Sequence, residues 1–162
     1  GRGWDAWGWA SRVHGEVEYA SGDGDPNDER LTTFDNLFGA RRQHLGFAST
    51  VGRRNIRALQ AGWEAAPRPD LQLRLDVHGF WVARRADALY ATDGTIAVAP
   101  PADGARSSHA GNELDFTISF APKPWWELDA GVARFIPGGF VQESRGQRVL
   151  ETLLYLSLTL RM

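Results

Sequence analysis

Residues 150–162 read LETLLYLSLTLRM, and from Leu150 every second position is apolar or Thr, through Leu154, Leu156, Leu158 and Leu160 to Met162. Between them stand Glu151, Tyr155, Ser157, Thr159 and Arg161. A period of two marks a β-strand with one apolar and one polar face. The terminal residues of a soluble domain commonly fray and lose such a pattern. Here it holds to the last residue, as a strand must if it pairs and faces lipid along its whole length.

Working back from the end, five more segments alternate in the same way. Trp126, Leu128, Ala130 and Val132 alternate with Glu127 and Asp129. Leu114, Phe116, Ile118 and Phe120 stand against Glu113, Asp115, Thr117 and Ser119. Leu71, Leu73, Leu75 and Val77 stand against Gln72, Arg74, Asp76 and His78. In 55–66, Leu59, Ala61, Trp63 and Ala65 alternate with Gln60, Gly62 and Glu64. Trp7, Trp9, Val13, Val17 and Tyr19 alternate with Arg12, His14, Glu16 and Glu18. These runs of about 10 to 13 residues exceed the usual strand length of about 5–6.

The connections alternate as well. AAPRPD and APKPW are short and carry two prolines each, which stop pairing and favour tight turns. The segments 20–53, 83–111 and 136–149 are long and rich in Gly, Asp and Arg. Short turns at one end and long loops at the other is the layout of an outer-membrane β-barrel. Trp7, Trp9, Trp63, Trp125 and Trp126 fall near the short-turn ends, and Trp81 and Tyr19 near the long-loop ends. Two aromatic girdles at the lipid headgroups would occupy those levels. A soluble sandwich or lipocalin-like barrel also alternates, with its apolar face inward. Strand length, loop asymmetry and Trp placement favour the membrane.

Composition removes other classes. A net charge of −2 does not suit a nucleic-acid binder, and without Cys there is neither a disulfide framework nor a Cys-based metal site. The 162 residues suit a single domain, 1–162, with no internal boundary. No targeting peptide is recognisable, and no run of about 18 apolar residues suggests a membrane helix. Catalysis is disfavoured. Glu113 and Asp115 sit at i and i+2 on one strand, as any polar face supplies, and His14, His44, His78 and His109 lack the HExxH spacing.

Two features of the first long connection concern ligands. DGDPNDERLTTF opens like an EF-hand loop, with Asp23, Asp25 and Asn27 at positions one, three and five. Asp28 stands where Gly is required and Phe34 where a bidentate Glu should be, so a helical EF-hand is excluded. A looser Ca²⁺ site at Asp23, Asp25 and Asn27 stays open beside the simpler reading of an acidic, solvated turn. Charge is also segregated. Residues 16–29 hold six acids and no base, and residues 30–57 hold six Arg and only Asp35. Arginines at a pore mouth would concentrate carboxylate solutes and bind them bidentately. The two runs could equally neutralise one another within one folded loop. Along the strands, Arg12, Arg54, Arg74 and Arg161 share the polar face with Glu16, Glu64, Asp76, Glu113, Asp115, Glu127, Asp129 and Glu151. Such a face can serve as a lumen, or as a ladder of ion pairs that braces a wall.

EYASGDGDPND, TFDNLFGARRQHLGF, VGRRNIRALQAGW, LDVHGFWVARRADALY, NELDFTISF and ARFIPGGFV, in this order over most of residues 15–142, resemble the outer-membrane alginate export family. The resemblance implies an antiparallel transmembrane β-barrel in the outer membrane of a Gram-negative bacterium, all-β and up-and-down. It implies a charged lumen that passes an anionic polysaccharide and carries no cofactor. The lipid bilayer, the polysaccharide and the outer-membrane assembly machinery are the implied partners. A general porin for small solutes is the alternative, and a structural barrel without transport comes third. The resemblance sets the arginine cluster over or in the pore, so that Arg41, Arg42, Arg53 and Arg54, with Arg12, Arg74 and Arg161 of the polar faces, become the candidate substrate contacts. Family members have about three times as many strands, so the six strands read here correspond to the C-terminal part of a larger barrel. Six strands leave two edges, and closed single-chain barrels begin at about 8. Further strands of the same chain, rather than several copies, are expected to close it. In relatives the last strand carries the assembly signal, which usually ends in Phe; Met162 keeps the parity without the aromatic ring.

Overall fold

A computed structural model describes residues 1–6, 8–25, 28–35, 45–145 and 151–161. Seven long or edge strands form one antiparallel sheet: β1 (Arg2–Ala6), β2 (Trp9–Ala20), β3 (Ile56–Arg68), β4 (Leu71–Val82), β7 (His109–Lys123), β8 (Trp126–Pro137) and β9 (Glu151–Leu160). Each pairs with its neighbour in sequence, which is the up-and-down meander. Among the described residues the sheet is open, with β1 and β9 at its edges. No helix among the described residues is long and apolar enough to cross a membrane, which says nothing of crossing by strands.

All six expected strands are present, and β1 adds a seventh that the periodicity missed. Its five residues, RGWDA, are too few to show a period. The proline turns act as expected on the ladder. Register shifts fall between Ala65 and Arg68, around Pro67, and between Phe120 and Lys123, around Pro122, because proline has no N–H to give. Among the described residues, two of the three long connections carry helix or strand of their own. Residues 83–108 contain the hairpin β5 (Leu89–Tyr90) and β6 (Ile96–Val98), and residues 138–150 begin with the helix α1 (Gly139–Arg145).

Burial runs opposite to that of a soluble protein. Leu154 and Leu156 are 75% and 74% exposed, and Val17, Leu59, Val77, Leu114 and Leu158 are exposed beside them on the apolar face. On the polar face Glu113, Asp115, Asp76 and His78 are buried. In water a continuous apolar sheet face of this kind would be strongly unfavourable. In a bilayer it is the face that belongs there. The apolar core lies elsewhere, on the inner face at the long-loop end. There Ala58, Phe80, Ala110 and Phe135 of the strands pack with Leu45 and Val51 of the first connection, Leu89 and Val98 of the hairpin, and Phe140 and Val141 of α1.

Candidate functional site

The inner face is organised by the register of the sheet. Pairing Arg12 with Glu64, Glu64 with Arg74, Gln60 with His78, and Asp76 with Asp115 places these side chains in adjoining rows. Arg12 Nε donates to Glu64 Oε2 at 3.0 Å, and Arg74 NH1 lies 3.2 Å from Glu64 Oε1. Arg74 also pairs with Asp76, whose Oδ1 accepts from Gln60 Nε2 at 2.8 Å and lies 3.0 Å from His14 Nε2. His78 Nε2 lies 3.3 Å from Asp115 Oδ2. Farther along, Ser119 Oγ donates to Asp129 Oδ1 at 2.5 Å and Arg161 NH2 to Glu127 Oε2 at 2.6 Å. Arg12, Arg74 and Arg161 of the polar face are therefore each held by a carboxylate. A cleft of about 650 Å³ opens on this face towards the short turns, lined by Arg12, Glu64, Gln72, Arg74 and Ser119 among others.

The first long connection folds back over the same face. The backbone N–H of Phe47 donates to Asp115 Oδ2 at 3.0 Å and that of Ala48 to Glu113 Oε1 at 2.7 Å. Thr50 Oγ1 donates to Glu151 Oε2 at 3.2 Å, and the ring of Phe47 stacks on Tyr155. Gly46 has φ +84°, and a Cβ there would come within 2.5 Å of Glu113 Oε1. Only glycine permits both that φ and that approach. Residues 45–52 thus narrow the inner face at the long-loop end. No direct signal for this stands in the sequence, because the acids that hold the segment resemble the rest of the polar face.

Two buried side chains fix the long connections to one another. Asp87 accepts four hydrogen bonds: from Asp23 N at 2.8 Å, Thr33 Oγ1 at 2.6 Å, Ala88 N at 2.7 Å and Tyr90 Oη at 2.8 Å. Asn55, at φ 49°, donates to the carbonyls of Arg84 and Ala88 and accepts from Arg84 N at 2.7 Å. Asn tolerates the left-handed region better than most residues.

The arginine cluster of the first connection is only partly within view. Arg41 and Arg42 lie outside the described residues, as do Trp7 and Met162. Arg53 forks onto Glu18, with its Nε 3.1 Å from Oε2, so here the acidic and basic runs do neutralise one another. Arg54 lies over the Tyr90 ring at 4.7 Å and donates through NH1 to Gly94 O at 3.3 Å. Its Nε has no hydrogen-bond partner among the described residues. Arg53 and Arg54 line a small hollow of about 100 Å³ with Asp35, Thr92, Asp93 and Gly94.

For the Ca²⁺ candidate, Asp23 Oδ1 accepts from Asp25 N at 3.2 Å and Thr32 Oγ1 at 3.4 Å. Asn27 lies outside the described residues, and among these residues no group of three His, Cys, Asp or Glu is placed to hold a metal ion.

Comparison with protein families gives a match to the alginate export family over residues 1–153. No curated protein matches the chain.

Proposed function

Because the chain belongs to the alginate export family, we propose that it forms part of the wall of a bacterial outer-membrane channel that passes an anionic, uronate-type polysaccharide. The inverted burial carries this reading: leucines up to 75% exposed on one face, and buried Glu, Asp, His and Gln on the other. The first face suits lipid and the second an aqueous path. Under this reading the paired arginines of the polar face brace the wall, since each gives its charge to a neighbouring acid. The cation left to meet a passing carboxylate at the long-loop end is Arg54, which forms no ion pair among the described residues, whereas Arg53 is held by Glu18; Arg41 and Arg42 of the same connection are candidates to act with it. A guanidinium fork that meets a carboxylate makes charge-assisted bonds of useful strength without holding the chain permanently.

The test is single-channel current through the complete barrel in a planar bilayer. Anion selectivity and block by short mannuronate oligomers are expected. Replacing Arg41, Arg42, Arg53 and Arg54 together by Gln should lower both. The block should also weaken with salt, as the Debye length shortens from about 30 Å at 0.01 M to about 3 Å at 1 M. A cation-selective pore, or a block indifferent to salt and to these arginines, would overturn the polysaccharide reading. A general porin would then stand, and the ion-paired state of Arg12, Arg74 and Arg161 is the observation that favours it.

A further inference from the structure

A second basic surface lies on the outside of the sheet, away from the polar face. A cleft of about 700 Å³ is lined by Arg57, Arg84, Arg85 and Arg106, with Asp103, Gly104, Ser108 and the chain from Val82 to Ala86. All four arginines are exposed. None of them forms an ion pair among the described residues, unlike Arg12, Arg53, Arg68, Arg74 and Arg161. Arg85 NH1 donates to the carbonyl of Arg106 at 2.7 Å, which ties the two sides of the cleft together. Glu143, the nearby acid, is turned to the backbone N–H groups of Arg106 and Ser107. Among the described residues, Asp103 is the one carboxylate that lines the cleft.

Its position gives the cluster its meaning. Arg57 has the parity of Leu59, Ala61 and Trp63, so it stands on the lipid-facing side of β3. Its register partners are Tyr19 and Trp81, and its guanidinium lies 5.9 Å from the centre of the Tyr19 ring. The cleft therefore continues directly from the aromatic level at the long-loop end of the apolar face. Aromatic side chains of this kind mark the headgroup level of a bilayer. Unpaired arginines immediately above that level face lipid headgroups, and planar guanidinium groups bind phosphate bidentately.

We propose that this cleft binds the phosphate groups of an anionic glycolipid in the outer leaflet, with the acyl chains running down the exposed face of β3 and β4. The proposal rests on the membrane reading of the fold given above, but not on transport.

The test uses the complete barrel, purified and delipidated in detergent, with native mass spectrometry to count bound lipid. The probes are bis-phosphorylated lipid A and its dephosphorylated form, with inorganic phosphate and mannuronate oligomers as competitors. Lipid A should bind and the dephosphorylated form should not. The double variant Arg84→Gln/Arg106→Gln should bind lipid A about thirtyfold more weakly, given the usual contribution of a basic residue at an anionic lipid surface. Arg84→Lys/Arg106→Lys should recover most of the affinity. Should the double Gln variant fail to fold, each single Gln variant should weaken binding about fivefold. Equal binding of both lipids, or affinity indifferent to the Gln variants, would overturn the proposal. So would displacement of lipid A by equimolar inorganic phosphate, which would mark a free-phosphate site, or by mannuronate oligomers, which would assign the cleft to the transport path. A barrel that shows no anion conductance yet keeps arginine-dependent lipid A binding would remove the transport reading and leave this one in place.

Discussion

The ring of Phe47 lies flat on the ring of Tyr155, with centroids 4.7 Å apart and planes 5° apart. One ring belongs to the first long connection and the other to the inner face of β9, so the stack holds the inward-folded segment against the wall. Beside it, the N–H groups of Phe47 and Ala48 bond to Asp115 and Glu113.

Loosening this clamp is expected to widen the pore. Phe47→Ala removes a stacked pair worth about 0.5–1.5 kcal/mol beyond its buried area. Gly46→Ala acts on the same segment from the backbone, because a left-handed φ of +84° is strained for any residue with a Cβ. Both variants should raise single-channel conductance, while urea unfolding of the barrel changes little. Conductance equal to that of the parent would show that the segment does not lie in the conducting path.

Asp87 should matter to the loops and not to the barrel. Asp87→Ala strands the N–H of Asp23 and the hydroxyls of Thr33 and Tyr90, and each buried unpaired donor costs about 1–3 kcal/mol. Limited proteolysis should then cut within 21–33 and 83–91 while the strands stay protected. The same site gives a pH dependence. Burial first, and then the hydrogen bond to Asp87, push the Tyr90 phenol above its ordinary value. Its contribution is thus fully present below about pH 10 and is lost as pH rises through the raised folded value. Loop cleavage should increase at strongly alkaline pH, and Tyr90→Phe should remove that alkaline step. Cleavage independent of pH in the parent would sink the assignment.

Much of the wall was legible because lipid imposes one rule along each strand. Between the girdles the outer residue is apolar and the inner one polar, so Leu71 to His78 and Glu113 to Phe120 declare themselves by period alone. The strands run farther than the pattern, and the reason lies in where the rule changes. β4 continues to Val82, where Phe80 packs in the inner core while Trp81 sits at the outer aromatic level, so both faces are apolar and the alternation disappears. On β8 the phase inverts: Phe135 is 1% exposed on the inside and Arg134 is exposed on the outside. Above the hydrocarbon the outside is wet and the inside is packed by loops, which reverses the sign of the pattern. The candidate arginines were legible as residues but not as states. Whether Arg74 meets a solute or Glu64 is decided by cross-strand register, which a single sequence does not display. The cleft of Arg57, Arg84, Arg85 and Arg106 draws on three separate segments and has no local signature.

Topology follows from the same asymmetry. The turns at Arg68–Asp70 and 124–125 are expected in the periplasm, and the long connections outside. An epitope inserted at Asp103, which is exposed, should be labelled on intact cells, and one at Arg68 only after the outer membrane is opened. Labelling at Arg68 on intact cells, with none at Asp103, would reverse the orientation and move the glycolipid cleft to the inner leaflet.

The fold class is tested where a soluble and a membrane protein predict different numbers. Leu156 on β9 is 74% exposed, and Leu75, at 36%, lies on the same face on β4, three strands away. In a soluble protein an exposed leucine can become arginine with a change usually within about 0.5 kcal/mol. In a barrel the same arginine enters hydrocarbon, at a cost of about 2–4 kcal/mol near the midplane and about 0–1 near the interfaces. Leu156→Arg and Leu75→Arg should therefore both destabilise the complete barrel refolded in lipid vesicles, as read from urea unfolding. Leu160→Arg, closer to the short-turn girdle beside Trp126, should cost less. The depth dependence separates lipid exposure from general intolerance, since a soluble sheet has no reason to grade the penalty along β9. Three near-neutral variants, together with a barrel that stays in the aqueous phase without detergent, would refute the membrane assignment.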